Sequence, residues 1–119
     1  MIMEKKSHSV LKVFASSTDR LGSQLLYEAV VYRAREAGIS GATVYRGIMG
    51  YGLSSHIHTS KFWELTEKLP VVVELIDTEE KIKAFYELIA PDLESLPKGC
   101  LVTLAPVDVI LHKPGAKSA

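Results

Sequence analysis

One strand-forming segment constrains the fold of this chain more than any other. After Pro70 the sequence reads Val71-Val-Val-Glu-Leu-Ile76, in which a single carboxylate interrupts a run of aliphatic residues. Alternate residues of a strand face opposite sides of a sheet, and both sides are apolar here: Val71, Val73 and Leu75 on one, Val72 and Ile76 on the other. Strands of this kind occur where both faces of the sheet are covered. The chain is therefore expected to form a sheet with a packed layer on each face.

The other segments supply three further strands and two helices. Strands are predicted at Val10–Ala15, Ala42–Met49 and Cys100–Leu111 (interrupted at Pro106), and a helix at Leu25–Ala37, preceded by the helix-start residues Ser16–Asp19 and closed by Gly38. The second helix is predicted to begin at Asp77 in a capping box with Glu80, to bury Ile82, Phe85, Tyr86 and Ile89, and to end at Pro91. This order predicts a ferredoxin-like α+β sandwich, a βαββαβ fold with an antiparallel sheet and both helices on one face.

The two helices leave the second face of this sheet without a cover. The last strand is also apolar on both sides, through Val107, Val109, Ile110 and Leu111. Copies of the same chain are the simplest cover, so self-association is expected. Glu74 lies on this second face with Val72 and Ile76. It is expected either to pair with a cation across a subunit contact or to mark a solvent-accessible patch of that face.

Length and composition limit the class of protein. The 119 residues are expected to form one domain, 1–119, with frayed termini at 1–8 and 114–119. Lys plus Arg and Asp plus Glu each number 14, so the chain lacks the basic surplus of a nucleic-acid-binding protein. Met1–Ser9 has charges and no apolar signal segment, and the apolar runs elsewhere are too short to span a bilayer. These features predict a cytoplasmic protein without membrane insertion.

A glycine-rich loop after the second strand is the main candidate for function. From Thr43 to Lys61 a β-branched segment gives way to three glycines and then to Ser, His and Thr residues. Glycines beside a cation can present backbone N–H groups to a phosphate, or can simply permit a bulge and turn. Two shorter basic turns, Lys98-Gly99 and Lys113-Pro-Gly115, flank the last strand. The candidate ligand-binding residues are Arg46, Gly47, Gly50, Tyr51, Gly52, Lys98, Gly99 and Lys113.

The rest of the loop is the candidate contact surface for a protein partner. Its polar residues are Ser54, Ser55, His56, His58, Thr59, Ser60 and Lys61. The segment that continues to Leu69 fits either a short helix from Ser60 or an extended arm. His56 and His58 would project to one side of an extended segment, so a two-nitrogen metal site is an alternative interpretation. His8, His112 or another subunit would have to complete such a site, and no metal is assigned.

The sequence shows no pairing of a nucleophile with a base. Cys100, the only cysteine, opens a strand and is typical of a small buried hydrophobe rather than a thiolate. Arg46-Gly47-Ile-Met-Gly50 lacks the aromatic residues of an RNA-recognition motif. The turn Ser16–Arg20 lacks the glycines of an acylphosphatase-like site. We therefore predict a protein that is not an enzyme.

These residues resemble the PII signal-transduction proteins, and more closely a group of short PII-like bacterial proteins. The likeness extends over roughly Val10 to Gly115, and its most specific segments are Thr43–Gly47, Leu69–Ile76 and Pro106–Gly115. The shorter group is also similar through Gly47–Gly52 and His58–Lys61. The resemblance implies a homotrimer of ferredoxin-like subunits whose sheets line the interior. It also implies a nucleotide or another small effector in clefts between subunits, and a partner-contacting loop after the second strand.

The same resemblance implies roles for individual residues. Gly47 and Gly50 match glycines at the base of the loop, and Gly99 falls near a glycine-rich turn before the last strand. Lys113 falls where the family has a phosphate-binding arginine. Cys100 and its neighbours replace a glycine and a phosphate-binding lysine of that turn, and Leu111 replaces a second arginine.

Because two cations of the family pattern are absent, the implied effector is an adenine nucleotide with fewer phosphates than ATP, or another small anion. No firmly bound cofactor is expected. The implied protein partner is an enzyme, a transporter or a channel. A structural assembly subunit without a ligand is the remaining alternative.

Overall fold

The computed structural model describes residues 6–52, 58–59 and 69–116. The main sheet consists of β1 (His8–Ser16), β4 (Gly41–Arg46), β7 (Pro70–Thr78) and β8 (Leu101–Val107), in the order β4-β7-β1-β8. All of its strand pairs are antiparallel. The helices are α1 (Leu26–Glu36) and α2 (Glu79–Glu94), and two short hairpins join β2 (Arg20–Leu21) to β3 (Gln24–Leu25) and β5 (Met49–Gly50) to β6 (His58–Thr59). The predicted ferredoxin-like sandwich is confirmed.

The core lies between the helices and one face of the sheet. Its fully buried residues come from both central strands and both helices: Leu11, Val13, Val73, Leu75, Leu26, Val30, Ile82 and Ile89. Each such side chain contributes ~1.5–3 kcal/mol through its removal from water. The predicted stripe of the second helix is confirmed, since Ile82, Phe85 and Ile89 are buried and Tyr86 packs against them.

The opposite side of the sheet, which we call the open face, is formed by the alternate residues of the same strands. Large apolar side chains lie on it, and Phe14, Tyr45 and Leu101 are 36%, 49% and 58% exposed. Within the part of the chain that the structure describes, no helix packs on this face. Ile110 and Leu111 do not continue it, because they lie beyond the end of β8 and are 91% and 78% exposed.

The first helix begins later than its start signals predicted. Ser16–Asp19 do not cap it, because the β2–β3 hairpin intervenes and α1 begins at Leu26. Gly22 turns this hairpin with a φ of 66°, a conformation that favours glycine. The backbone N–H of Leu26 donates to the carbonyl oxygen of Asp19 over 2.7 Å, so the turn and the helix start are still joined.

The second helix differs from its prediction at both ends. Thr78 rather than Asp77 is the N-cap, and its hydroxyl accepts from the N–H of Lys81. The Asp77 carboxylate instead accepts from the N–H groups of Ser40 and Thr78 at 2.9 and 2.6 Å. Pro91 does not end α2, which continues to Glu94 and thereby buries Leu93 in the core.

Strand boundaries differ by a few residues. His8, expected in the frayed amino terminus, begins β1 opposite Thr78 and Val107. The strand predicted at 42–49 ends at Arg46, and that predicted at 100–111 ends at Val107. Pro106 does not interrupt β8, because β8 is an edge strand where a missing N–H can face away from the ladder. No helix in the described ranges is long and apolar enough to cross a bilayer.

Candidate effector site

Four segments meet at one end of the sheet. The register places Arg46 opposite Val71, Ser16 opposite Pro70, and Phe14 opposite Leu101. The end of β4, the start of β7, the turn after β1 and the turn before β8 therefore lie side by side. We call this the turn end of the sheet, and it includes Arg46, Gly47, Lys98 and Gly99.

The glycine-rich loop is pinned at its base against Pro70. The N–H of Gly47 donates to the carbonyl oxygen of Pro70 over 2.7 Å. A Cβ at Gly47 would lie 2.8 Å from Cγ of Pro70, and one at Gly50 would lie 3.3 Å from the same atom. Among the described glycines, only Gly22 and Gly38 have a positive φ. Close approach to Pro70 thus explains these two loop glycines, and the N–H of Gly47 is already engaged.

The loop folds back on itself immediately after this base. Met49 pairs with Thr59 and Gly50 with His58, so β5 and β6 close a small hairpin. Tyr51 is 73% exposed at its edge, and Gly52 is exposed as well. The hairpin brings the predicted ligand-binding Gly50 beside the predicted partner-contacting His58. Ser54, Ser55, His56, Ser60 and Lys61 lie outside the described residues, as does the segment for which a helix or an extended arm was predicted.

The turn after β1 is a polar element that the sequence analysis interpreted as a helix start and did not include in the effector site. Ser17 and Leu69 exchange two bonds, with the N–H of Ser17 donating to the carbonyl of Leu69 over 2.8 Å and the N–H of Leu69 donating to Oγ of Ser17 over 3.0 Å. Oδ2 of Asp19 accepts from the N–H of Ser16 over 2.9 Å. Asp19 is 7% exposed, and its Oδ1 has no hydrogen-bond partner among the described residues. This turn holds the carboxyl end of the loop region in place at Leu69.

Cys100 lies next to this turn at the start of β8 and is partly buried. Burial raises the pKa of its thiol, and the nearby Asp19 carboxylate raises it further. The thiolate is therefore disfavoured, the opposite of what a nucleophilic cysteine requires.

The structure brings only some of the predicted ligand-binding residues together. Lys98 and Gly99 are exposed at the turn end, but β8 and β4 are opposite edges of the sheet. Three strand spacings separate these edges, or about 14 Å. Lys113 lies in an exposed segment that follows β8 at the other end of the sheet. Within one chain, the three basic turns do not form a common site.

The alternative metal site, with His56 and His58, lies largely outside the described residues. His56 lies outside the described residues, and only the backbone of His58 is described. Within the described ranges, no three His, Cys, Asp or Glu side chains cluster in a way that could hold a metal ion.

The sequence matches a family of proteins over most of its length. The model of the DUF190 family, described as "Uncharacterized ACR, COG1993", matches residues 8–109. A UPF0166 protein from Aquifex aeolicus is 40% identical over 109 residues, which cover 92% of this chain and 96% of that relative.

Solved structures show the same fold at low sequence identity. CPII from Thiomonas intermedia K12, bound to ADP and bicarbonate, has a TM-score of 0.57 and 17% identity, over 85% of this chain and 88% of that chain. A second structure of CPII, described as a nitrogen regulatory PII-like protein and bound to ADP, AMP and bicarbonate, has a TM-score of 0.58 and 15% identity over the same shares. These likenesses establish a PII-like fold.

Proposed function

Because the chain belongs to the DUF190 family and has a PII-like fold, we propose that it is a non-catalytic regulatory protein. In this proposal it forms a homotrimer, binds a small anionic effector between subunits, and signals through the loop that follows β4. The observation that carries the proposal is the position of Arg46–Gly52 and Lys98–Gly99 at the same end but on opposite edges of the sheet.

This placement supports a cleft that is built from two copies. When two sheets associate with their turn ends aligned, the β4 edge of one copy can approach the β8 edge of the next. Arg46 would then face Lys98 across the contact. Lys113, which follows β8 at the other end of the sheet, joins this cleft in the proposal by running back along β8. Cations that converge in this way suit a phosphate or another small anion.

The open face supports self-assembly. Its exposed Phe14, Tyr45 and Leu101 form the type of contiguous apolar surface that marks interaction sites. Burial of such a surface contributes ~25 cal/mol per Å² of apolar area. In the proposed trimer this face lies in the interior, and the loop after β4 remains outside for an enzyme, transporter or channel.

An adenine nucleotide is the effector that the proposal favours. CPII has this fold and is bound to ADP in one structure and to ADP and AMP in another, with bicarbonate in both. Arg46 and Lys98, with Lys113 as the third cation of the proposal, fit a mono- or diphosphate better than a triphosphate, which requires a larger cluster of cations. The disfavoured thiolate of Cys100 is consistent with binding rather than catalysis.

Native mass spectrometry of freshly purified protein, followed by calorimetry against AMP, ADP, ATP and cyclic nucleotides, tests the proposal. We expect a trimer that binds at least one nucleotide below millimolar concentration. Lys98→Ala and Lys113→Ala should each weaken binding by ~1.5–3 kcal/mol if the ammonium meets a phosphate. Lys81→Ala, an exposed change on α2, is the matched control.

Hydrogen exchange gives the signalling part its own test. The bound effector should protect the amides of residues 50–61, because a loop that contacts a ligand opens less often. A trimer that binds none of these nucleotides would favour the structural-subunit alternative, and a monomer would refute the assembly itself.

A further inference from the structure

A polar row crosses the open face between two apolar rows. The strand register places four residues opposite one another, one from each strand of the main sheet: Thr43, Glu74, Lys12 and Thr103. The row on one side contains Tyr45, Val72, Phe14 and Leu101, and the row on the other contains Gly41, Ile76, Val10 and Ala105. A layer that buries both apolar rows must also bury the polar row between them.

The charges of this row are only partly satisfied within one chain. Nζ of Lys12 lies 3.9 Å from Oε2 of Glu74, beyond hydrogen-bond distance, with side-chain exposures of 44% and 20%. The hydroxyl of Tyr45 donates to Oε1 of Glu74 over 3.3 Å. The negative charge of Glu74 is the main cause of the raised pKa of Tyr45. An ammonium group has three donors, so Lys12 has hydrogen-bonding capacity left for another molecule.

We infer that this row sets the register in which copies of the chain pack, with Lys12 of one copy donating to Glu74 of the partner subunit. The inference rests on the self-assembly in the proposed function and specifies its interface. The row carries one cation and one anion, so identical copies are complementary to each other. A slip along the strands would place these charges against the apolar rows and leave them buried without partners, which is costly.

The test compares the loss of one charge with the loss of both. Lys12→Met leaves the Glu74 carboxylate unpaired in the interface, and we expect the dissociation constant of the assembly to rise by roughly a hundredfold at neutral pH. Lys12→Met/Glu74→Leu removes both charges, and it should assemble about as tightly as the natural chain. Without the two charges of the polar row, this double variant should populate more than one oligomeric state in native mass spectra.

The pH dependence separates a buried carboxylate from a general loss of packing. The assembly of Lys12→Met should recover on acidification, because protonation removes the unpaired charge of Glu74. Among the described strand residues, the other titratable groups on this face of the variant are Tyr45 and His8. Tyr45 stays protonated throughout such a titration, and the natural chain carries the same His8. The natural chain titrated in parallel therefore isolates the contribution of Glu74.

The pair Lys83–Glu79 on α2 provides the matched control. Nζ of Lys83 lies 2.6 Å from Oε1 of Glu79, and the two side chains are 58% and 45% exposed. Both residues lie on the helical side of the sheet, away from the open face. Lys83→Met, and Lys83→Met combined with Glu79→Leu, should leave the dissociation constant unchanged. If Lys12→Met does not fold, Glu74→Gln makes the same test, since it leaves the ammonium of Lys12 unpaired.

The outcomes distinguish this inference from the proposed function. A natural chain that stays monomeric would refute the assembly and the inference together. A natural trimer whose dissociation constant is unaffected by Lys12→Met at every pH would refute only the role of the polar row. Weakening by the single variant, with recovery in acid and in the double variant, would support the inference.

Discussion

Replacement of the loop glycines by alanine should give a graded loss of stability that follows their distance from Pro70. The new Cβ would be 2.8 Å from Cγ of Pro70 at Gly47 and 3.3 Å at Gly50, while at Gly52 nothing lies within 4 Å. A proline ring is rigid, and Pro70 is held in β7 opposite Ser16, so the contact at Gly47 requires a movement of the backbone.

The magnitude follows from two opposing effects. Overpacking of this kind typically costs ~1–3 kcal/mol. Alanine also restricts the unfolded chain, which stabilises the fold by ~0.4–1 kcal/mol where the backbone conformation suits it. None of the three glycines has a positive φ, so this gain applies to each. We expect Gly47→Ala to lower the free energy of unfolding by ~1–2 kcal/mol, Gly50→Ala to change it little, and Gly52→Ala to leave it equal or slightly higher.

Urea denaturation at one fixed protein concentration measures this series, as a change in midpoint at constant slope. Fixed concentration matters because self-association adds to apparent stability. Pro70→Ala combined with Gly47→Ala should recover part of the loss, with a coupling of ~0.5–3 kcal/mol in a double-mutant cycle. Equal stability of the Gly47→Ala and Gly52→Ala variants would show that the contact with Pro70 does not hold the loop base.

Three further results are expected. Because burial raises the pKa of Cys100, the unfolded chain loses this proton first, so stability should fall as pH rises above ~8.5, and Cys100→Ala should flatten that decline in thermal scans. Asp77→Ala should lower the free energy of unfolding, measured by urea denaturation, by ~1–3 kcal/mol, because the N–H groups of Ser40 and Thr78 that donate to its carboxylate are left without a partner. Zinc or copper should produce little change in melting temperature, and a clear stabilisation that is lost on replacing His56 and His58 by alanine would instead support the metal site.

The sequence predicted the fold well where one periodicity dominated. The alternation in Val71–Ile76 and the stripe on α2 both gave the right faces, because burial of apolar residues determines them. Local sequence signals for the start and end of helices predicted the helix boundaries less accurately. Asp77 and Pro91 were read as a cap and a stop, yet Asp77 bonds to Ser40 across the fold and α2 continues past Pro91 to bury Leu93. Tertiary contacts decide such positions, and a local pattern does not contain them.

The loop glycines show the same limit at the candidate site. A cluster of glycines beside Arg46 is equally compatible with an anion-binding nest and with close backbone packing. The distances to Pro70 explain Gly47 and Gly50 by packing, and only the fold brings Pro70 to them. The polar turn with Asp19 was also missed as a feature of the site, because Leu69 and Cys100, which lie beside it, are distant in sequence.

In the proposed function, the strand order couples effector binding to assembly. β4 and β8 are the two edges of one sheet, so a cleft that uses both basic turns exists only between copies. A ligand of such a cleft binds the assembled state and not the separate chain, and it must stabilise the assembly by RT ln(1 + [L]/Kd) per site. At a hundredfold excess over Kd this is about 2.7 kcal/mol for each cleft. Dilution of the protein with and without AMP or ADP should therefore shift the onset of dissociation to lower concentration. An onset that stays the same with a nucleotide that binds would place its site within a single chain, away from the two edges.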